Sequence, residues 1–206
     1  MIDVSKTRSE MLATLPIRRD SLLVRSCQRS DLDILATWPE YPQPYASFTF
    51  SFSHFGPAAL DSLHRERERQ QDRITLVVDR GTAKSIAYLS LLEIDWASGR
   101  TGNMGMRVHP ELCGKGIGST MLTAVRDWWF AAGMQGLRLD VAAPNARAVR
   151  CYEKVGFTRS GEFWREAPDL DGVDLSDPQW RFLEGHVRAG SGVPELRFYW
   201  METSPG

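Results

Sequence analysis

Residues 106 to 122 constrain this chain more than any other stretch. A strand ending at Val108 passes a turn marked by Pro110, crosses alternate glycines at Gly114, Gly116 and Gly118, and enters a long helix. Glycine leaves no side chain between the backbone and whatever lies over it. The start of a helix aims unpaired amide hydrogens and the positive end of its dipole at the same point. Together these predict an anion site, most simply for a phosphate or pyrophosphate. Two commoner phosphate loops do not fit. Lys115 is followed by Gly116 instead of Ser or Thr, which excludes a P-loop, and Ser119 stands where a dinucleotide fingerprint starting at Gly114 needs its third glycine. Alternate glycines before a helix also make plain packing turns, so the loop alone leaves both readings open.

A second stretch bears on that choice. Leu137 to Ala143 alternates like a strand, and Pro144-Asn145 then opens a helix through Ala148, Cys151, Tyr152 and Val155 to Gly156-Phe157. Two patterns, Val108-x-Pro110 running to Gly114, Gly116 and Gly118, and Asn145, Ala148, Tyr152, Gly156 and Phe157, occur in this order. They resemble the GNAT superfamily of N-acetyltransferases, over roughly residues 22 to 166 with a closing strand near 194 to 203. Cys113 departs from the Arg or Gln usual at the loop's opening, a position that contributes mostly backbone amide. The resemblance implies an α/β (α+β) fold. Its sheet is mixed but mostly antiparallel, has six to seven strands, carries helices on both faces, and splays between strands 4 and 5.

Two hundred and six residues suit one domain, here taken as 1–206, with 1–19 as an N-terminal tail and 167–193 as an acidic insertion before the last strand. A composition 42% hydrophobic and 25% charged is that of an ordinary globule with a real core. The formal net charge of -1 gives no general attraction to nucleic acid or to anionic membranes, so neither is expected as a partner. Cys27, Cys113 and Cys151 form no metal-ligand spacing, and their odd number argues against a disulfide framework, so the expectation is a reducing cytoplasm and no metal. Asp3, Lys6, Arg8 and Glu10 exclude a signal peptide at this start, and no apolar run approaches a membrane span.

Strands are predicted at 21–27, 74–79, 86–95, 103–108, 160–166 and 194–202, besides 137–143. A helix capped by Ser30, with Asp33 as the reciprocal residue, ends at Trp38-Pro39. Another spans Pro57 to about Gln71, and its mixed charges from His64 to Arg69 predict a solvated face. The loop helix runs from Gly116 to about Ala132 and stops at Gly133. The insertion is read as holding one short helix. Between Trp38 and Phe55, aromatic residues alternate with Pro39, Pro42 and Pro44. They suit a loop pinned by packing. The resemblance offers a second reading, in which Trp38, Tyr41, Tyr45 and Phe48 wall an acceptor pocket.

The resemblance further implies a mechanism: an acetyl group passes from acetyl-coenzyme A to a primary amine by direct attack in a ternary complex. Met106, Arg107 and Val108 would meet the pantetheine arm. Cys113, Gly114, Lys115, Gly116, Ile117, Gly118 and Ser119 would hold the pyrophosphate, with Asn145, Ala148 and Tyr152 completing the cofactor site. Tyr152 would donate a hydrogen bond or proton to the departing thiolate, a phenol of pKa about 10 facing a thiol of about 8.5. Where many members carry a glutamate base on the fourth strand, this chain has Asn103, which at most orients a water. Glu93 and Asp95 on the preceding strand are the remaining carboxylates for that role. Neutralising a lysine amine at pH 7 costs about 3.4 kcal/mol more than neutralising an α-amine, so a weak base favours a low-pKa amine. The acceptor is expected to be a small-molecule amine or a polypeptide N-terminus, and the enzyme a monomer or homodimer. The first strand and helix look most like the branch acetylating ribosomal-protein N-termini. A catalytically weak sensor that binds acyl-coenzyme A is the competing reading.

Overall fold

The computed structural model describes residues 6–43 and 45–206. The first five residues of the expected tail, Asp3 among them, and Pro44 lie outside the described residues. In chain order the elements are α1 (Arg8–Ala13), β1 (Ile17–Arg19), β2 (Leu22–Ser26), α2 (Arg29–Ala36), α3 (Pro57–Arg69), β3 (Ile74–Arg80), β4 (Ala83–Asp95) and β5 (Arg100–Val108). After these come α4 (Ile117–Ala131), β6 (Leu137–Ala142), α5 (Ala146–Lys154), β7 (Thr158–Glu166), β8 (Val187–Ala189) and β9 (Pro194–Thr203).

The strands make two antiparallel sheets, one ordered β1-β2-β3-β4-β5 and one ordered β6-β9-β7 with β8 also on β9. The count of nine exceeds the six to seven expected because two three-residue strands form outside the predicted ones. β1 arises in the supposed tail, where α1 also folds, buries Met11, and is followed by Thr14, which accepts from Trp128 Nε1 at 2.7 Å. β8 arises in the insertion, which holds two 3-10 turns, Pro168–Leu170 and Pro178–Leu183, instead of one helix.

The two sheets meet where β5 and β6 start side by side in the same direction. A single parallel bridge joins Arg100 to Gly136, and Thr101 Oγ1 accepts from the Arg138 amide at 2.9 Å. Asn103 then stands between the strands as a side-chain wedge. Its Oδ1 accepts from Met104 N at 2.7 Å and from Asp140 N at 3.1 Å, and its Nδ2 donates to the Asp140 carboxylate. Beyond this wedge the strands part, giving the splay expected between the fourth and fifth long strands. Asn103 is therefore engaged in holding the fork, with its Oδ1 accepting twice and one of its two amide hydrogens taken by Asp140.

Strand alternation sends the side chains to two faces. Leu89, Leu91, Met104, Val108, Leu139 and Val141 pack with Ile117, Met121 and Val125 of α4 and with Val149 and Tyr152 of α5. The opposite face of the first sheet presents Val77 and Tyr88 to Leu32, Leu35, Trp38, Phe52 and Leu60 of the α2–α3 region. A third cluster joins Ala142, Leu196 and Phe198 to the insertion and to Phe48.

Two expectations are corrected at this level. α2 begins at Arg29, not after Ser30, because Asp31 turns back to accept the Gln28 amide at 2.7 Å while Asp33 pairs with Arg29 at 2.8 Å. α3 is not wholly solvated, since Arg67 is 9% exposed. Leu60, Leu63 and Arg67 share one side of the helix at the spacing of a buried stripe, and that stripe faces Phe52 and Tyr88. No helix among the described residues is long and apolar enough to cross a membrane.

Candidate active site

The glycine turn folds as its residue types require. Gly114 and Gly116 have φ of 77° and 80°, the left-handed region that a side chain opposes, and Gly116 is the N-cap of α4. Gly118 is needed for another reason. A Cβ there would stand 3.0 Å from Met106 Cε and 3.4 Å from Cys151 Sγ, so a larger residue would push α4 off the wall of the gap. Ser119 returns its hydroxyl to the Gly116 carbonyl at 2.9 Å. Among the described residues, no backbone or side-chain acceptor takes the amides of Gly114 through Ser119. Orphan donors over a dipole end fit a pyrophosphate.

One cleft of about 980 Å³ runs from this turn through the gap between β5 and β6. Along β5, His109 N donates to Ile86 O on β4, so by ladder alternation Met104, Met106 and Val108 turn their main-chain groups toward the gap. Two of those groups are taken, Met104 N by Asn103 and the Val108 carbonyl by the Tyr41 hydroxyl. Met106 keeps both its amide and its carbonyl for a ligand, and Val108 keeps its amide. Main chain along β5 that faces the gap is thus unpaired at Met106 and half paired at Val108.

Tyr152 is 6% exposed and lines the cleft, and its hydroxyl has no hydrogen-bond partner among the described residues. Burial pushes its pKa well above the ordinary phenol value, helped by the Cys151 thiol and by the Asp140 charge, so the phenol keeps its proton at neutral pH. Asn145 lines the same wall, but its Oδ1 accepts from Ala148 N at 3.2 Å as the N-cap of α5. Cys113 borders the turn with its thiol 3.7 Å from the Val108 and His109 carbonyls, and burial raises its pKa. Neither it nor Cys151, which burial also raises, has the activated environment of a nucleophile.

Of the remaining cofactor candidates, Arg107, Gly114, Gly116, Gly118, Ser119 and Ala148 line the cleft. Lys115 is exposed and Ile117 is buried in the core, and neither lines it. Tyr41 and Phe48 line the cleft, whereas Trp38 and Tyr45 do not. Trp38 packs edge-on against His109 with ring centres 5.4 Å apart, and Tyr45 supports the Arg147 guanidinium 3.9 Å above its ring. Glu93 is exposed and off the cleft. It sits at φ 52° opposite Gly102, where a Cβ would strike its carboxylate. Asp95 is also exposed and caps its own turn through Ala97 N at 3.0 Å.

Several lining residues escaped the sequence reading. Asp140 stands beside the wedge, paired with Arg165 at 2.9 Å. Arg147, Arg150 and Lys154 project from α5 beside the turn. Arg67, Arg73, Tyr88 and Ser90 line the end of the cleft that lies across β5 from the turn. Tyr88 and Ser90 were visible only as polar breaks in an apolar strand. Arg67 was visible only as the continuation of the Leu60–Leu63 stripe.

A model described as Acetyltransferase (GNAT) family matches residues 36–157. The spermidine N(1)-acetyltransferase of Vibrio cholerae serotype O1 is 26% identical over 156 residues, 70% of this chain and 83% of that protein. The Escherichia coli K12 protein of the same name is 24% identical over 152 residues, 73% and 75% of the two lengths. The crystal structure of Vibrio cholerae spermidine N-acetyltransferase in complex with CoA and spermine superposes with a TM-score of 0.67 at 19% identity, over 90% of this chain and 96% of that one. A GNAT-family acetyltransferase from Streptococcus pneumoniae gives 0.57 at 18% identity, over 89% and 99%. The curated relatives carry spermidine in their names, unlike the ribosomal-protein branch that the first strand and helix resemble.

Proposed function

Because the chain belongs to the acetyltransferase (GNAT) family and is an N-acetyltransferase using acetyl-coenzyme A, we propose that it acetylates the primary amine of a small molecule by direct attack in a ternary complex. One observation carries this reading. The cleft passes through the gap beyond Asn103, so two ligands can meet there from opposite faces of one sheet. The bound thioester supplies an activated acetyl group. The chain's own residues supply position and charge. Amides 114 to 119 would grip the pyrophosphate, and the unpaired groups of Met106 with the Val108 amide would align the arm that follows.

Tyr152 would then serve the sulfur as a hydrogen-bond donor. A phenol raised above its usual pKa of about 10 gives up its proton to a thiolate near 8.5 only uphill, so its contribution is stabilisation of developing charge more than full transfer. Proton removal from the amine falls to the lining carboxylates Asp140, Glu166 and Asp169 or to water, because the amide of Asn103 cannot take a proton. Without a dedicated base, a low-pKa amine is favoured over a lysine side chain.

Calorimetry with acetyl-coenzyme A, alongside release of the free thiol across an amine panel between pH 6 and 9, tests the proposal. Binding followed by release with a small amine is expected. Binding with no release from any amine would instead identify the chain as a sensor of the acylated carrier.

A further inference from the structure

The two ends of the cleft differ in what they demand of a ligand. The glycine turn, α4 and Tyr152 belong to one face of the first sheet. Arg107 and Tyr88 are cross-strand partners on β5 and β4, and their side chains occupy the other face, where Arg67 of α3 covers them. Ser90, two residues along β4 from Tyr88, lies on that same face, its hydroxyl 2.7 Å from that of Tyr88. Arg73, just before β3, reaches the same end of the cleft. These arginines therefore stand across β5 from the pyrophosphate turn, where the acceptor must lie.

Among the described residues, no ion pair compensates their charge. Arg67 and Arg107 are 9% and 8% exposed, and none of the ion pairs among the described residues involves Arg67, Arg73 or Arg107. Arg67 Nε, Arg73 Nε and both Nε and Nη1 of Arg107 are buried without a hydrogen-bond acceptor. Arg67 Nη1 donates to the Tyr88 hydroxyl at 2.7 Å, and Arg73 Nη1 donates to Gln70 at 2.8 Å. The aromatic rings near the guanidiniums offer only the weaker attraction of a π face, with Trp38 and Phe52 5.4 and 5.7 Å from Arg107. Burial pulls the pKa values of Arg73 and Arg107 down, with the charge of Arg67 adding to it at Arg73, and this outweighs the opposing pull of Glu66 and Asp72 on Arg73 and of the Tyr41 hydroxyl on Arg107. The lining carboxylates do not neutralise the group. Asp140 is paired with Arg165 and Asn103, and Glu166 and Asp169 are exposed. Buried charge without a partner is costly, and proteins keep it where a ligand brings the countercharge.

Resting on the acetyltransferase reading, we propose that the acceptor carries an oxyanion, a carboxylate or a phosphate, beside its amine. Arg67, Arg73 and Arg107 receive that anion, with the Tyr88 and Ser90 hydroxyls as further polar groups. Planar guanidinium forks match either oxyanion, and a charge-assisted pair in a dry pocket is the strong kind of hydrogen bond. A polycation such as spermidine would meet three like charges in this arm, so the acceptor differs in sign from the one that names the curated relatives.

The full chain saturated with coenzyme A, and then in turnover with acetyl-coenzyme A, tests this with matched probes. The pairs are 4-aminobutyrate against butylamine and phosphoethanolamine against ethanolamine, with spermidine as the polycation. Saturation with coenzyme A blocks the glycine turn, so any further thermal stabilisation reports the acceptor arm. An oxyanion-bearing probe is expected to raise the melting temperature where its match without the anion and spermidine do not, and the better pair identifies carboxylate or phosphate. The same pair is expected to differ by about tenfold or more in kcat/KM if it turns over. Arg67→Met and Arg107→Met should each collapse that preference. Because preference is a ratio read within one variant, partial loss of fold lowers both members and leaves it intact. Stabilisation by spermidine or butylamine in place of the anions, or by none of the probes, overturns the proposal. Failure of coenzyme A itself to stabilise the chain would overturn the acetyltransferase reading instead.

Discussion

Tyr152 combines two properties that pull against each other. Its ring is core, packed with Phe157 at 5.9 Å between centres, while its hydroxyl is left without a protein partner at the wall of the cleft. A buried phenol that lacks an acceptor loses hydration for nothing unless a ligand atom arrives. Tyr152→Phe should therefore fold as well as the parent and lower kcat by about 10²-fold with little change in the KM for acetyl-coenzyme A. Stopped assays at saturating thioester, with melting curves beside them, check both halves. An unchanged kcat would reduce the residue to packing. The places of Tyr152 and the glycine turn on the cleft were legible in the sequence because they follow from residue type at fixed local spacing. Arg67 was not, since its burial depends on Phe52 and Tyr88, which come from segments 15 and 21 positions away. Nor was Asn103, read as a failed base when its partner Asp140 lies on a strand whose proximity only the fold reveals.

At the scale of elements, α4 carries its anion site because of how it begins. Gly116 caps it at φ 80°, and nothing lies within 4 Å of the place a Cβ would occupy, so a substitution there meets conformational strain and no clash. Gly116→Ala should cost about 1 kcal/mol, or a fall of roughly 2–4 °C in melting temperature for a chain of this size. It should also raise the KM for acetyl-coenzyme A, because relieving the strain at this φ shifts the turn that presents the amides. Differential scanning calorimetry and initial rates separate the two effects. The long strands and helices were legible from their periodicity. β1 and β8 were not, because three residues carry no period and each forms only against a neighbour already in place, β2 or β9.

Across the whole molecule, one charged knot ties β2, α2, β3 and the start of β4. Arg25 bonds both Asp31 and Asp79, which have side chains 4% and 3% exposed, at 2.7 and 3.0 Å, while Ser85 N and Lys84 Nζ close on Asp79 at 2.9 and 3.1 Å. Burial alone would raise both aspartates. The Arg25 guanidinium outweighs it, with help from Ser85 and Gln28 at Asp31 and from Ser85 and Lys84 at Asp79, so both pKa values end below the usual carboxylate range. Carboxylates depressed in the folded state contribute stability that is complete above their unfolded pKa of about 3.9 and disappears as pH falls through the folded values. Asp79→Asn should thus destabilise by about 3 kcal/mol at pH 7, and the gap to the parent should narrow below pH 4. Urea melts at the two pH values measure this, and a gap independent of pH would refute it.

The insertion reaches back over the fork to set Phe182 edge-on against Phe48, with ring centres 6.1 Å apart. On the far face α4 is continuous core to both sheets, whereas on this face Phe48 joins the smaller cluster that the insertion forms with Leu196 and Phe198. A carrier bound along α4 would thus meet continuous core on its side, whereas a guest on the other side would meet the Phe48–Phe182 contact. Tolerance for a bulkier acceptor would then depend on that contact, made by residues more than a hundred positions apart in the chain.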